Sequence, residues 1–290
     1  MYPRNFDYYR PASLEEAVEL MGKYGEEARP LAGGQSLIPL MKLRLANPLV
    51  LVDLNGIPGL GYVREQDSSL AIGAMTRHVA VEESAVGCAE FPMVEDAVRD
   101  IGDAQVRNLG TIGGALAHAD PSGDWGPVLL AAGGEVQCVG PDGRRLIPAA
   151  EFFTDTYETA RQANEIVSEV RMRRPGAGSG SAYLKLERRS GDFAVVGVAV
   201  QVVLDADGIC QEIGIGLSGV GLTYIRGVAA ENVLRGNRLD ESTIAEAAER
   251  IAADIDPYTD VRGPAEYKAA MAQVYFTRAI ELARKRALTG

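Results

Sequence analysis

The chain has 290 residues, 47% apolar and 24% charged, which suits two linked domains with an ordinary buried core. Its 29 Lys and Arg against 40 Asp and Glu leave a net charge of −11. The surface therefore repels a phosphate backbone, and the basic stripe that a nucleic-acid binder needs is not visible. Three cysteines, Cys88, Cys138 and Cys210, lie far apart with no C-x-x-C. That spacing excludes an iron–sulfur cluster or a cysteine-rich zinc site held by this chain alone, and gives no disulfide framework. Residues 1–11 are aromatic and charged rather than an apolar leader, and no apolar run approaches membrane-spanning length. The expectation is a soluble, reduced, cytoplasmic protein.

In chain order, Ser13-Leu14-Glu15-Glu16 forms a capping box. Leu14, Ala17, Val18 and Met21 then recur at helical spacing up to Gly25. Arg29 to Leu31 predicts a strand running into Ala32-Gly33-Gly34-Gln35-Ser36, and Leu37 to Leu45 a short helix ended by Asn47-Pro48. Val50 to Asp53 and Leu70 to Gly73 are strand-like; Thr76 caps a helix through Glu83, and Phe91 to Ile101 makes another. A glycine-rich stretch, Asn108 to Gly114, follows and is expected to be a loop. Glu135 to Val139 and Arg145 to Pro148 flank the turn Pro141-Asp142-Gly143, and Ile166 to Arg173 is a further strand.

Residues 175–181 read as a flexible connector. Beyond it come three strands, near 182–188, 193–204 and 209–217, and helices at 228–234, 242–255 and 265–287. Arg284-Lys285-Arg286, the densest basic cluster, falls in the last helical turn, where cations suit the macrodipole. The chain divides into residues 1–176, with parts at about 1–55 and 56–176, and residues 177–290.

Gly214, Gly216 and Gly219 match G-x-G-x-x-G, with Asp240 at about the distance of an acidic ribose ligand. A dinucleotide fingerprint needs those glycines in a turn that opens a helix. Here they fall inside a strand, and Asp240 looks like a helix cap. The other two glycine pairs make better anion sites. Backbone N–H groups without side chains in the way can approach a pyrophosphate closely, and Ser36 and Thr111 add hydroxyls. Both are equally consistent with tight turns. His118, in Ala117-His118-Ala119-Asp120, has only His78 as a histidine partner, so it is read as a helix-end or supporting residue rather than a metal ligand.

The run from Arg29 to Met41 resembles the first flavin-binding motif of the FAD-binding medium subunits of molybdenum hydroxylases. Gln105 to Gly114, with Asp120-Pro121 and Asp124, resembles the second, and Arg262 to Lys268 resembles the carbon monoxide dehydrogenase branch, so the similarity runs almost end to end. It implies an α+β fold: a two-part FAD-binding domain of the vanillyl-alcohol-oxidase-like (PCMH) type, then a smaller α+β domain with a three-stranded antiparallel sheet and helices.

The same resemblance implies roles for particular residues. Ala32, Gly33, Gly34, Gln35 and Ser36, with Thr111, Ile112, Gly113, Gly114 and Ala115, would wrap the FAD pyrophosphate. Asp124 would accept from a cofactor hydroxyl. Ile101, Val167 and Lys185 match cofactor contacts of the xanthine dehydrogenase branch; the alternative for Lys185 is a solvated strand lysine, and for Phe193 ordinary core packing. The loop from Arg188 to Phe193 would flank the isoalloxazine, its two arginines placing positive charge there.

Gln35 stands where some relatives carry His, so FAD is expected to be non-covalent. Phe193 lacks the hydroxyl of the Tyr found in the carbon monoxide dehydrogenase branch. The implied function is an FAD-carrying electron-transfer subunit working with a large molybdopterin subunit and a small [2Fe–2S] subunit, in a dimer of heterotrimers. A stand-alone flavin oxidoreductase and a non-redox nucleotide-binding scaffold are the alternatives.

Overall fold

A computed structural model describes residues 2–289. The first lobe is a three-stranded parallel sheet in the order β1-β3-β2, built from β1 (Asp7–Tyr9), β2 (Ala28–Leu31) and β3 (Val50–Asp53), with helices α1 (Leu14–Tyr24) and α2 (Leu37–Lys42). Ser13 caps α1 by accepting the Glu16 N–H at 3.1 Å, and Glu16 turns back to accept from Ala12 N–H. Leu14, Ala17, Val18 and Met21 are buried in the core with Val50 and Val52, and Gly25, at φ +51°, stops the helix. The helix predicted over 37–45 ends at Lys42 instead, because Arg44 turns into the left-handed region at φ +62°.

The second lobe is a five-stranded antiparallel sheet ordered β4-β5-β10-β6-β7 and covered by helices. Its elements are β4 (Val63–Gln66), β5 (Ser69–Gly73), α3 (His78–Glu82), α4 (Ala85–Glu90), α5 (Pro92–Asp100), α6 (Ala104–Leu109), α7 (Ile112–His118), α8 (Trp125–Ala131), β6 (Glu135–Gly140), β7 (Gly143–Pro148), α9 (Ala149–Phe152) and β10 (Ile166–Arg173), with a small ribbon of β8 (Phe153–Asp155) and β9 (Glu158–Thr159).

Two expectations change in this lobe. Thr76 caps nothing: its hydroxyl accepts the Tyr62 N–H and donates to the Tyr62 C=O, both at 2.9 Å, and α3 begins only after Arg77. The glycine-rich stretch is not a loop but the meeting of two helices. Asp103 caps α6 through the Val106 N–H, and Thr111 caps α7 through the Gly114 N–H. Tertiary packing overrides the poor helix propensity of Gly113 and Gly114.

The third lobe is the antiparallel sheet β11 (Ser179–Leu186), β12 (Val196–Leu204), β13 (Cys210–Ser218) and β14 (Ile225–Arg226), with α10 (Val228–Leu234), α11 (Glu241–Asp254) and α12 (Ala265–Thr289). The three expected strands form, and the two-residue β14 adds a fourth. The second half of the supposed connector is strand, not linker. Gly180 lies so close under α12 that a Cβ there would sit 2.1 Å from the Ala283 carbonyl oxygen. Gly214 and Gly216 serve the same purpose: an added Cβ would fall 2.1 Å from the carbonyl oxygens of Ala131 and Pro127 on α8. The G-x-G pattern is thus a helix-packing surface, and Asp240 caps α11 through Thr243 N–H.

The lobes are joined by polar as well as apolar contacts. Arg286 does more than complement a helix dipole. It grips both carboxylate oxygens of Asp96 on α5, at 2.6 and 3.0 Å, and donates to the Ser181 C=O at 2.7 Å. Tyr183 and Ala199 of the third lobe belong to the second lobe's core.

Candidate functional site

The first glycine motif leaves the C-terminal end of β2 and turns into α2. Gly34 adopts φ +71°, a conformation that L side chains rarely take. The N–H groups of residues 33–36 donate to no atom among the described residues, and the Ser36 hydroxyl does not cap α2. Gln35 is exposed and donates to the Gly33 C=O at 3.2 Å. Four successive unengaged donors beside two glycines make a concavity suited to an anion.

The second motif has a different chemistry. Ile112 N–H donates to Thr76 C=O at 3.2 Å, Gly113 N–H to Ala74 C=O at 2.9 Å, and Gly114 N–H to the Thr111 hydroxyl at 3.1 Å. Thr111, Ile112 and Gly113 are buried; Gly114 and Ala115 stay partly open. Gly113 sits where a Cβ would meet the Ala74 Cβ at 2.4 Å. The two motifs touch. A Cβ on Gly33 would lie 2.3 Å from the Leu109 carbonyl oxygen, and one on Gly114 would lie 3.4 Å from the Ala32 Cβ.

Two residues that the sequence did not single out tie the motifs together. Arg77 donates to the Leu109 C=O and to the Asn55 side chain, and Asn55 donates to the Ala32 C=O at 3.0 Å. Beneath them His78 is buried, its Nδ1 accepting from the Trp125 indole at 3.2 Å, and burial pushes its pKa down to about 4.

Asp124 opens α8 and is 9% exposed. Its Oδ1 accepts from the Tyr183 hydroxyl at 2.7 Å and lies 3.2 Å from Lys185 Nζ. Burial raises its pKa to about 6, against the pull of Lys185 and Tyr183, while burial and Asp124 drive the Tyr183 phenol up. The Lys185 side chain, 1% exposed, is no solvated lysine. It donates to the backbone carbonyls of Asp100 and Asp192 and lies 3.3 Å from Glu187.

Lys185 thereby pins the loop 188–193 to the end of α5, where Ile101 is half-buried. A Cβ on Gly191, at φ +80°, would sit 2.4 Å from the Gly102 carbonyl oxygen. Phe193 is 42% exposed rather than core. Arg188 lies 3.7 Å from the Asp192 carboxylate of the same loop and donates to the Val261 C=O at 2.7 Å, while Arg262 lies over the Phe193 ring, 5.4 Å from its centroid. Val167 stands apart from this group, buried on β10 opposite Cys138. His118 ends α7, its ring 5.0 Å from that of Tyr157, whose hydroxyl donates to Asp120.

These residues fit a dinucleotide: unengaged N–H donors for a pyrophosphate, a glycine-floored approach, and a carboxylate whose Oδ2 takes no hydrogen bond among the described residues. Comparison with known proteins agrees. Residues 4–173 match the FAD binding domain in molybdopterin dehydrogenase, and residues 181–283 match the CO dehydrogenase flavoprotein C-terminal domain. The chain is 41% identical over 287 residues to the carbon monoxide dehydrogenase medium chain of Afipia carboxidovorans, covering 99% of each. It is 38% identical to the 6-hydroxypseudooxynicotine dehydrogenase complex subunit alpha of Paenarthrobacter nicotinovorans, covering 99% of this chain and 97% of that one. A solved carbon monoxide dehydrogenase from Hydrogenophaga pseudoflava superposes with a TM-score of 0.96 at 42% identity, covering 99% of both chains. The chain belongs to the FAD-binding medium subunits of the molybdopterin dehydrogenases, components of oxidoreductase complexes.

Proposed function

We propose that this chain is the electron-transfer subunit of a heteromeric molybdenum hydroxylase. It takes electrons from a [2Fe–2S] subunit and passes them to an external acceptor, while substrate is hydroxylated on a separate molybdopterin subunit. When bound, FAD supplies a redox centre able to exchange electrons singly or in pairs. The observation that carries the reading is the meeting of the two glycine motifs, with the donors of residues 33–36 unengaged.

In this reading Gly33, Gly34, Gln35 and Ser36 donate to the pyrophosphate, and Gly114 and Ala115 let it approach. Thr111, Ile112 and Gly113 hold that surface from beneath. Asp124, fixed by Tyr183 and Lys185, offers Oδ2 to a sugar or polyol hydroxyl. Phe193 and Arg262 lie at the ring end, with Ile101 beside them, and Val167 supports the second motif through the core. The chain's cysteines are too few and too scattered to hold a cluster, which assigns the cluster to another subunit. Buried, unpaired Cys138 and Cys210 suit a reducing, cytoplasmic setting. The assembly we favour is a dimer of heterotrimers. Relatives named for carbon monoxide and for 6-hydroxypseudooxynicotine show that substrate identity varies within the family while this chain's fold persists.

The test is reduction of the FAD-loaded chain, alone and in its native complex. A chemical reductant should bleach the flavin in both. Carbon monoxide, aldehydes or N-heterocycles should bleach it only in the complex. Rapid bleaching of the isolated chain by one of these substrates would instead establish a self-contained flavoenzyme.

A further inference from the structure

We propose that Arg77 and Asn55 are positioning residues that act as one strut, setting the gap between the two FAD loops. The inference rests on the reading that both loops flank the cofactor.

Among the described residues, 32–36 and 109–114 exchange no direct hydrogen bond, although they touch so closely that Gly33 has no room for a Cβ. The link between them runs through side chains. Arg77 is bound to the second motif twice: its backbone forms an antiparallel bridge with Thr111, and its Nη1 donates to the Leu109 C=O. Its Nη2 donates to Asn55 Oδ1, and Asn55 Nδ2 donates to the Ala32 C=O of the first motif. Asn55 is in turn fixed to its own lobe. Its backbone N–H and its Nδ2 both reach Asp53 Oδ1, at 2.9 and 2.6 Å, and the other Asp53 oxygen accepts from Tyr8 on β1. The strut therefore spans from the parallel sheet of the first lobe to the helix start of the second.

It also has an electrostatic consequence. The carbonyls of Ala32 and Leu109 are the negative ends of the peptide units next to the glycines. Asn55 holds the Ala32 carbonyl and leaves the Gly33 N–H of the same peptide unit unengaged, the polarity a pyrophosphate needs; Arg77 holds the Leu109 carbonyl, whose peptide partner, the Gly110 N–H, donates to the Val106 C=O at 2.7 Å. The planar fork makes this possible, since one guanidinium reaches two acceptors at once. Lysine, a point charge, would keep at most one of them firmly.

The experiment is an FAD titration of the full-length apo-chain as wild type, Arg77→Met, Arg77→Lys, Asn55→Ala and the Arg77→Met/Asn55→Ala double variant. Each is paired with the denaturant midpoint of the FAD-free protein. We expect FAD affinity to fall about ten- to a hundredfold in Arg77→Met and less in Arg77→Lys. The double variant should be no more than about twofold weaker than Arg77→Met, because a strut broken once is already broken. A folded Arg77→Met chain with wild-type affinity, or effects of the two single variants that multiply, would overturn the strut. If Arg77→Met does not fold, Asn55→Ala decides: undiminished affinity overturns the proposal, and weaker FAD at an unchanged midpoint supports it. A wild-type chain that takes up no FAD would sink the cofactor reading itself, a distinct result.

Discussion

The two glycine motifs look interchangeable as strings of residues and are opposite as chemistry. Residues 33–36 leave their N–H groups unengaged, with Gly34 at φ +71°. In residues 111–114, the N–H groups of Ile112, Gly113 and Gly114 are already committed to Thr76, Ala74 and Thr111. The first pair provides donors; the second provides closeness, because removing side chains lets α7 settle on Ala74 and lets the first loop lie against it. A glycine-rich motif in a cofactor site can thus be there for the ligand or for the protein beneath the ligand, and only the partners of its N–H groups tell which.

The sharpest way to break that comparison is to add side chains to each motif. Gly113→Val should be the most disruptive change, costing roughly 3 kcal/mol or more of apo-protein stability, because its Cβ already overlaps Ala74 and the helix cannot retreat. Gly34→Ala should cost less, about 1–2 kcal/mol of backbone strain, since the nearest atom is the movable tip of Ile38. Denaturant unfolding of the FAD-free variants measures both. Equal losses would mean that the two motifs are structurally alike after all.

A second test uses the titrating groups beside the motifs. Burial lowers the His78 pKa from 6.5 to about 4, so the native state holds the neutral ring and loses stability as pH falls through that window. Burial raises the Asp124 pKa from 3.8 to about 6, so the native state favours the proton and loses stability as pH rises through that window. Each shift corresponds to about 3 kcal/mol, of opposite sign over pH 4–6, so the wild-type chain should be nearly flat there. Removing one group exposes the other. His78→Gln should lose stability from pH 4 to 6, and Asp124→Asn should gain it over the same range. Unfolding midpoints across that range check the signs, and two variants with the same slope would refute the assignment.

The smallest expected contrast is between the two hydroxyls. Thr111→Ala removes a cap and should cost about 1 kcal/mol of apo stability. Ser36→Ala removes a hydroxyl that caps nothing, so apo stability should hold and FAD affinity alone should fall. Thermal scans with and without FAD separate the two.

Much of this was legible in order of residues. Local signals placed α1, the β6–β7 hairpin, β10, α11 and the cap at Asp240, because capping, alternation and turn chemistry act over a few residues. Family motifs pointed to both halves of the cleft. The helix α6 was hidden because it is one short run between Gly102 and Gly110, and α7 and α8 because glycine and proline within them argue against helix locally, although Asp103 and Thr111 stood in place as caps. The first three residues of β11 were hidden because Ser179-Gly180-Ser181 has a linker's composition, and only the close approach of α12 explains its glycine.

By itself the sequence determined the elements that carry strong local signals, the chain's acidic surface, its lack of a metal-cluster ligand set and the family to which its motifs point, all properties carried by neighbours in the chain or by residue counts. Tertiary structure alone decided which glycine N–H groups stay unengaged. It also brought Arg188 to the Val261 carbonyl and Arg262 over Phe193. It closed Lys185 onto Asp124, and it let Arg77 and Asn55, 22 residues apart, join two motifs from different lobes. The physical reason is that a hydrogen bond or an ion pair depends on distance in space, and a polar group's partner is settled only when burial has removed water as the alternative.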